Sequence, residues 1–131
     1  MKVAPGFSQV FPYLFVEDAA GYVRFLQAAF GAEEVGRHEH EGRVANAQVR
    51  IGEASFMLSE AQPPKYPACR SAHYLFVADA DQALEKALAA GAILDFEVRD
   101  MPYGDRQCGV RDLGGNLWFL SERLEDGPYY P

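Results

Sequence analysis

A chain of 131 residues, 49% hydrophobic and 24% charged, carries enough apolar material for one globular core without disulfide staples. Its net charge of −7, from 19 acidic against 12 basic residues, argues against nucleic acid as a partner, because that affinity rests on clustered Lys and Arg. No apolar run is long enough to span a bilayer, and the opening MKVAPGFSQ lacks the apolar stretch of a signal peptide, so the expected address is cytoplasmic with no membrane partner.

After a short leader, FPYLFV (Phe11–Val16) is an apolar, aromatic-rich run that predicts a buried strand. Asp18 then offers an N-cap, and Tyr22, Leu26, Ala29 and Phe30 recur at helical spacing up to Gly31, a residue suited to ending the helix. RHEHEGRVANAQVRIG predicts a hairpin turning near Glu41-Gly42, and FMLSE predicts one more strand after a turn at Gly52-Glu53. A proline-rich joint follows, AQPPKYPACR at residues 61–70. Beyond it, YLFV predicts a second first strand, and Asp79 with Gln82 three residues on forms a capping box. Leu84, Ala87 and Leu88 make the apolar stripe of that helix before Gly91. FEVRD, RQCGVRD and NLWFLSE complete the pattern, and a tail occupies residues 123–131.

The two halves use the same words. YLFVEDA at Tyr13 returns as YLFVADA at Tyr74, AFGA as AAGA, VRIG as VRDL, and FMLSE as WFLSE. Four words in one order, at a nearly constant offset of about 60 residues, describe a duplicated unit. Module one runs from about residue 10 to 60 and module two from about 71 to 122, each in the order β-α-β-β-β.

Strand parity sorts side chains onto two faces. One face collects Leu14, Val16, Ala47, Val49, Ile51, Phe56 and Leu58, and from the second module Leu75, Val77, Cys108, Val110, Trp118 and Leu120. That face is apolar and should carry the helices. The other mixes Phe11, Tyr13, Phe15, Asn46, Gln48, Arg50 and Met57 with Ala72, Tyr74, Phe76, Gln107, Arg111 and Phe119. Aromatics, amides and guanidinium groups on an uncovered face predict a sheet curled around a ligand cavity. The fold class is therefore α+β, two tandem modules forming a curved mixed sheet around a cavity.

The ordered set PYLFVEDA, FGA, NAQVRIGEASFML and YGDRQCGVRDLGGNLW, spanning Phe11 to Glu122, resembles the vicinal oxygen chelate superfamily of glyoxalases, bleomycin-resistance proteins and dioxygenases, and within it the PhnB-like branch. Two stretches depart from that branch. Asn46 and Gln48 stand where its HAE word has His and Glu, and Asp112-Leu113-Gly114-Gly115-Asn116 replaces DPFGH. The resemblance implies that four strands supply a His/Glu/Gln quartet to one divalent metal. Those positions fall here on Phe11, Met57, Ala72 and Phe119, none of which offers a nitrogen or oxygen donor. The implied protein is metal-free and without cofactor, a homodimer that binds a small organic molecule as bleomycin-resistance proteins do. The alternative is a glyoxalase- or isomerase-like enzyme with a relocated metal or acid–base site, and a third reading is an interaction protein whose cavity its own side chains fill.

The residues proposed to line the ligand site are Tyr13, Phe15, Asn46, Gln48, Arg50, Met57, Tyr74, Tyr103, Arg106, Arg111 and Phe119. Arg50 and Arg111 are repeat mates, either paired with carboxylates or waiting for an anionic or amide-bearing ligand. Asp105-Arg106 supplies such a partner or lines the mouth. His73, one residue from a lost ligand position, reads as a partly buried structural histidine; His38 and His40 read as a solvated hairpin tip, though HxH on a strand can chelate. Cys69 and Cys108 lie outside any CxxC spacing and read as reduced thiols, neither with a histidine placed to activate it.

Overall fold

The computed structural model describes all 131 residues, Met1–Pro131, as β1 (Tyr13–Val16), α1 (Ala19–Phe30), β2 (Glu33–His40), β3 (Arg43–Ile51), β4 (Ala54–Glu60), β5 (Ala72–Phe76), α2 (Ala80–Ala89), β6 (Ile93–Asp100), β7 (Asp105–Arg111) and β8 (Leu117–Arg123). The order β-α-β-β-β appears twice, as the repeated words predict. The chain divides into two compact units, Met1–Cys69 and Arg70–Pro131. Each builds its own four-stranded mixed sheet, β1-β4-β3-β2 in the first and β5-β8-β7-β6 in the second. The first strand of each unit runs parallel to the last, and the remaining pairs are antiparallel.

The repeated words mark the positions that close a module. Asp18 and Asp79 cap their helices by accepting from the backbone N–H groups of Gly21 (3.2 Å) and Gln82 (3.0 Å). The alanine after each aspartate, Ala19 or Ala80, is fully buried. Glu60, last residue of β4, reaches back to accept from the N–H groups of Asp18 and Ala19, both at 2.9 Å. Glu122 does the same for Ala80 in the second unit, at 2.9 Å. The acidic end of each SE word thus neutralises the positive start of its helix. Gly31 at φ 67° and Gly91 at φ 108° let the chain leave the two helices in a conformation costly for residues with a Cβ.

The helix-bearing face follows parity. Leu14, Val16, Ala47, Val49, Phe56 and Leu58 are buried in the first unit, and Cys108, Val110, Trp118 and Leu120 in the second. α1 buries seven of its residues, including Tyr22, Phe25 and Leu26. α2 buries only Ala80 and Ala87, and Leu88, assigned to its core stripe by spacing, is 41% exposed. With Ala87 at the centre of the contact, the next residue is turned about 100° away around the helix axis. The Glu41-Gly42 turn has positive φ at both residues, the geometry of a tight two-residue hairpin turn. The proline-rich joint is not a loose spacer. Ala61 donates a backbone hydrogen bond to Val16, continuing the β1–β4 pairing, Cys69 donates one to Phe15, and the Tyr66 ring stacks on the Phe15 ring at 5.2 Å.

In the second unit Phe96 lies opposite Gly109 across β6 and β7. A Cβ added at Gly109 would stand 2.3 Å from the Phe96 ring, so the glycine makes room for it. Gly109→Ala is expected to cost about 1–3 kcal/mol by overpacking, read as a lower denaturation midpoint with an unchanged slope.

Candidate functional site

In the first unit the uncovered face holds a sparse set of contacts. The Tyr13 and Phe15 rings lie 5.2 Å apart. The Asn46 amide N–H approaches the Tyr13 hydroxyl at 3.4 Å and the Met57 sulfur at 3.6 Å. Gln48 stands opposite Met57 in the sheet register. Arg50 is ion-paired with Glu33 at 3.0 Å, which selects the paired reading left open by the sequence.

The second unit concentrates its polar groups around one carboxylate. Asp105 opens β7 and is fully buried. Its Oδ2 accepts from the hydroxyls of Tyr74, Ser121 (2.6 Å) and Tyr129 (2.6 Å), and its Oδ1 from the Arg123 guanidinium at 2.8 Å. Gln107, also buried, donates to the Tyr74 hydroxyl at 2.7 Å and to Ser121 Oγ at 3.1 Å, and accepts from the Tyr103 hydroxyl at 2.6 Å. Burial by itself would raise the Asp105 pKa, but the hydrogen bonds from Ser121, Tyr129, Tyr74 and Arg123 outweigh it and hold the carboxyl well below the usual range. Burial, reinforced by the hydrogen bond to that carboxylate, pushes the Tyr74 phenol in the opposite direction, well above its ordinary value. The Asn46–Tyr13 contact of the first unit is the weaker counterpart of the Gln107–Tyr74 bond; there Val44 stands at the place of Asp105.

Beside this network lies a cavity of about 460 Å³ lined by Tyr74, Phe76, Tyr103, Tyr129 and Tyr130. β5 supplies the first two, the turn between β6 and β7 the third, and the segment after β8 the last two. That segment is held by Arg123, which donates to the Gly127 carbonyl at 2.8 Å and places its guanidinium 4.2 Å from the Tyr129 ring centre.

Tyr74 and Tyr103 are therefore brought together, with Phe119 adjoining at 5.9 Å from the Tyr74 ring. Arg106 stands apart from this cluster. Its parity is opposite to that of Asp105, and it ties α2 to β6 through Asp81 (2.9 Å) and Asp100 (3.0 Å). Arg111 is occupied by Asp95 at 3.5 Å and the Gly115 carbonyl at 3.3 Å. Tyr13, Phe15, Asn46, Gln48, Arg50 and Met57 belong to the first unit's own face. Parity alone did not single out Phe76, Ser121, Asp105 or the pair Tyr129-Tyr130 as one cluster. The readable signs were an acid in YGDR, a serine repeated in both SE words, and two adjacent tyrosines in the tail.

Among the described residues no three His, Cys, Asp or Glu side chains gather as a metal-ligand set. The residues at the four superfamily ligand positions do not fit a divalent ion: Phe11 packs on Phe7 at 4.5 Å, Met57 faces Asn46, Ala72 has no donor, and Phe119 lies among aromatic rings. His38 and His40 border a cavity with Glu41 and Arg43 at the hairpin. His73 stacks on Trp118 at 4.3 Å; burial lowers its pKa, with the charge of Asp112 acting against that shift. Cys108 is buried and its thiol pushed up to about 11, mainly by that burial, which leaves it a poor nucleophile.

Comparison with known proteins agrees with this architecture. The family profile described as Glyoxalase/Bleomycin resistance protein/Dioxygenase superfamily matches residues 6–120. Uncharacterized protein Mb0911c of Mycobacterium bovis is 30% identical over 137 residues, covering 96% of this chain and 88% of its own. The crystal structure of TioX from Micromonospora sp. ML1 matches with a TM-score of 0.73 at 28% identity, over 89% of this chain and 99% of that one. TnmS3 from Streptomyces sp. CB03234, described as an antibiotic binding protein, shares the fold with a TM-score of 0.68 at 18% identity, over 88% and 98% of the two chains. Two β-α-β-β-β modules and a profile match over most of its length lead to one conclusion: the chain belongs to the glyoxalase/bleomycin resistance protein/dioxygenase superfamily.

Proposed function

We propose that the protein binds a small organic molecule, without a metal, on the aromatic face of its second module. The observation that carries this is the cavity walled by Tyr74, Phe76, Tyr103, Tyr129 and Tyr130 over the buried Asp105 network. Exposed aromatic side chains gathered around a concavity, with a rigid polar base, form the usual anatomy of a small-molecule site. Phe76 is 57% exposed, an arrangement that contributes nothing to a core and leaves a large apolar surface for a ligand to cover. The absence of donors at Phe11, Met57, Ala72 and Phe119 supports binding without the superfamily's metal chemistry. The likeness to TnmS3, an antibiotic binding protein, supports sequestration of a compound over its conversion. The PhnB-like affinity, the homodimer and the cytoplasmic address belong to the same proposal, and sedimentation velocity tests the dimer.

A thermal-shift screen against aromatic, cationic and α-keto compounds tests the site. A compound at one hundred times its Kd should add about 2.7 kcal/mol to stability, a shift of several degrees. Phe76→Ala should abolish that shift while leaving the ligand-free Tm unchanged. A library without hits, or hits indifferent to Phe76→Ala, would rule the site out.

A further inference from the structure

The cavity wall is made almost entirely of phenols, yet three of its four hydroxyls are turned away from the cavity. Tyr74 and Tyr129 donate to Asp105, and Tyr103 donates to Gln107 at 2.6 Å. Each of those oxygens has its proton committed to a buried acceptor. What the rings then present is carbon: faces and edges, joined by the Phe76 ring. A ligand that depends on hydrogen bonds would lose its water there and find few partners in exchange. A ligand that depends on stacking would lose nothing.

Ring orientation narrows this further. Tyr74 and Phe76 meet edge-on, with centres 5.4 Å apart and planes at 62°; Tyr74 and Tyr129 do so at 6.5 Å and 78°, and Tyr103 and Tyr129 at 6.2 Å and 67°. Nearly perpendicular neighbours form the corners of a box. A flat guest can lie on one face while its rim meets the edges or faces of the others, the two arrangements aromatic rings favour. The electrostatics also have a sign. Ring faces carry negative partial charge and attract cations. Arg123 is already paired with Asp105 and stacked on Tyr129, and Arg99, whose charge also acts on the Tyr103 phenol, lies over the Phe96 ring at 5.7 Å. The chain as a whole carries −7, which disfavours anions at longer range.

We infer that this cavity selects a flat aromatic ring system bearing no negative charge, and that Tyr129, held by Asp105 and Arg123, is the wall that sets the preference. The inference rests on the ligand-binding reading above and names the class of ligand that reading leaves open. Tyr129 belongs to a segment without regular structure, and its own hydroxyl bond and the arginine beneath it fix the ring. Its position is thus set by the same network that consumes the other hydroxyls.

The test compares four probes of similar bulk: 9-aminoacridine, a planar cation; 1-aminoanthracene, planar and neutral; anthracene-1-sulfonate, a planar anion; and 1-adamantylamine, a cation with no ring face. Fluorescence titration gives the affinities of the first three, and competition gives the fourth. The two planar probes without negative charge should bind at least tenfold more tightly than the sulfonate and the adamantyl amine. Tyr129→Leu should weaken them at least fivefold and narrow their advantage over adamantylamine. Tyr130→Leu, at a side chain 84% exposed, serves as a second variant of the same wall should Tyr129→Leu fail to fold. Sulfonate or adamantylamine binding as tightly as the planar probes, at a site lost in Phe76→Ala, would overturn the ligand class and leave the site standing. No binding by any probe, or binding indifferent to Phe76→Ala, would overturn both.

Discussion

Replacing Asp105 with alanine is expected to destabilise the protein by about 3–5 kcal/mol, the largest effect of any single polar substitution in the second module. The carboxylate is fully buried and accepts from four side chains. Removing it leaves the Arg123 guanidinium with carbonyl acceptors and Glu125 at 4.0 Å in place of its 2.8 Å carboxylate, and leaves the Tyr74, Ser121 and Tyr129 hydroxyls without their common acceptor. Asp105→Asn should be milder, since the amide oxygen still accepts, but its NH2 group would face hydroxyl and guanidinium donors. The acid limb of stability carries the same information. The native carboxyl is held below its unfolded value of about 3.9, so its stabilisation is complete above that pH and is lost as pH falls below it. Denaturant melts from pH 5 down to pH 2.5 should therefore show a steeper loss in the wild type than in Asp105→Asn. Equal slopes would mean that the network contributes nothing through its charge.

Trp118→Ala should cost a similar amount, about 3–5 kcal/mol, for a different reason. The indole is buried on the helix side of β8, stacks on His73 at 4.3 Å, and donates from Nε1 to Asp112 Oδ2 at 2.8 Å. Asp112 in turn accepts on Oδ1 from the backbone N–H groups of Gly114 (2.8 Å) and Asn116 (2.9 Å), which shapes the turn into β8. Trp118→Phe keeps a ring to stack on His73 but loses the donor and part of the indole's volume, so it should cost less than alanine, about 1–3 kcal/mol. An NMR titration of His73 separates the two parts. Its pKa is lowered by burial in the wild type, so water entering the space left in Trp118→Ala should move it back up toward 6.5, whereas Trp118→Phe should leave it low. A His73 pKa equally low in all three proteins would show that the indole does not shield it.

The fold was legible because a duplicated sequence supplies its own check. A motif such as Asp18-Ala19 is ambiguous alone, but its return as Asp79-Ala80, each with a glycine some twelve residues on, leaves one economical reading. Parity separated Cys108 and Val110 from Gln107 because β7 is regular over that stretch. The stripe on α2 was overdrawn at Leu88, where the local period was right but the sheet met the helix at Ala87. The candidate site was legible only in pieces. Tyr74, Tyr103 and Phe119 lie in strands or turns whose place the repeat defines. Tyr129 and Tyr130 lie beyond the repeat, where no period says which way a side chain points. Arg106 followed from its neighbour Asp105, yet adjacent strand residues face opposite sides, and the two went to different work.

The bonds from Glu60 and Glu122 also bear on how each module comes together. Each glutamate stands at the end of the last strand but holds the first turn of a helix 41 or 42 residues earlier in the chain. A ribosome delivers that helix long before it delivers its cap. The parallel first and last strands impose the same delay, since their pairing closes the whole module as one loop. Each module should therefore gain its order late and in one step, with its early elements fluctuating until the final strand arrives, at the slower pace of folds rich in non-local contacts.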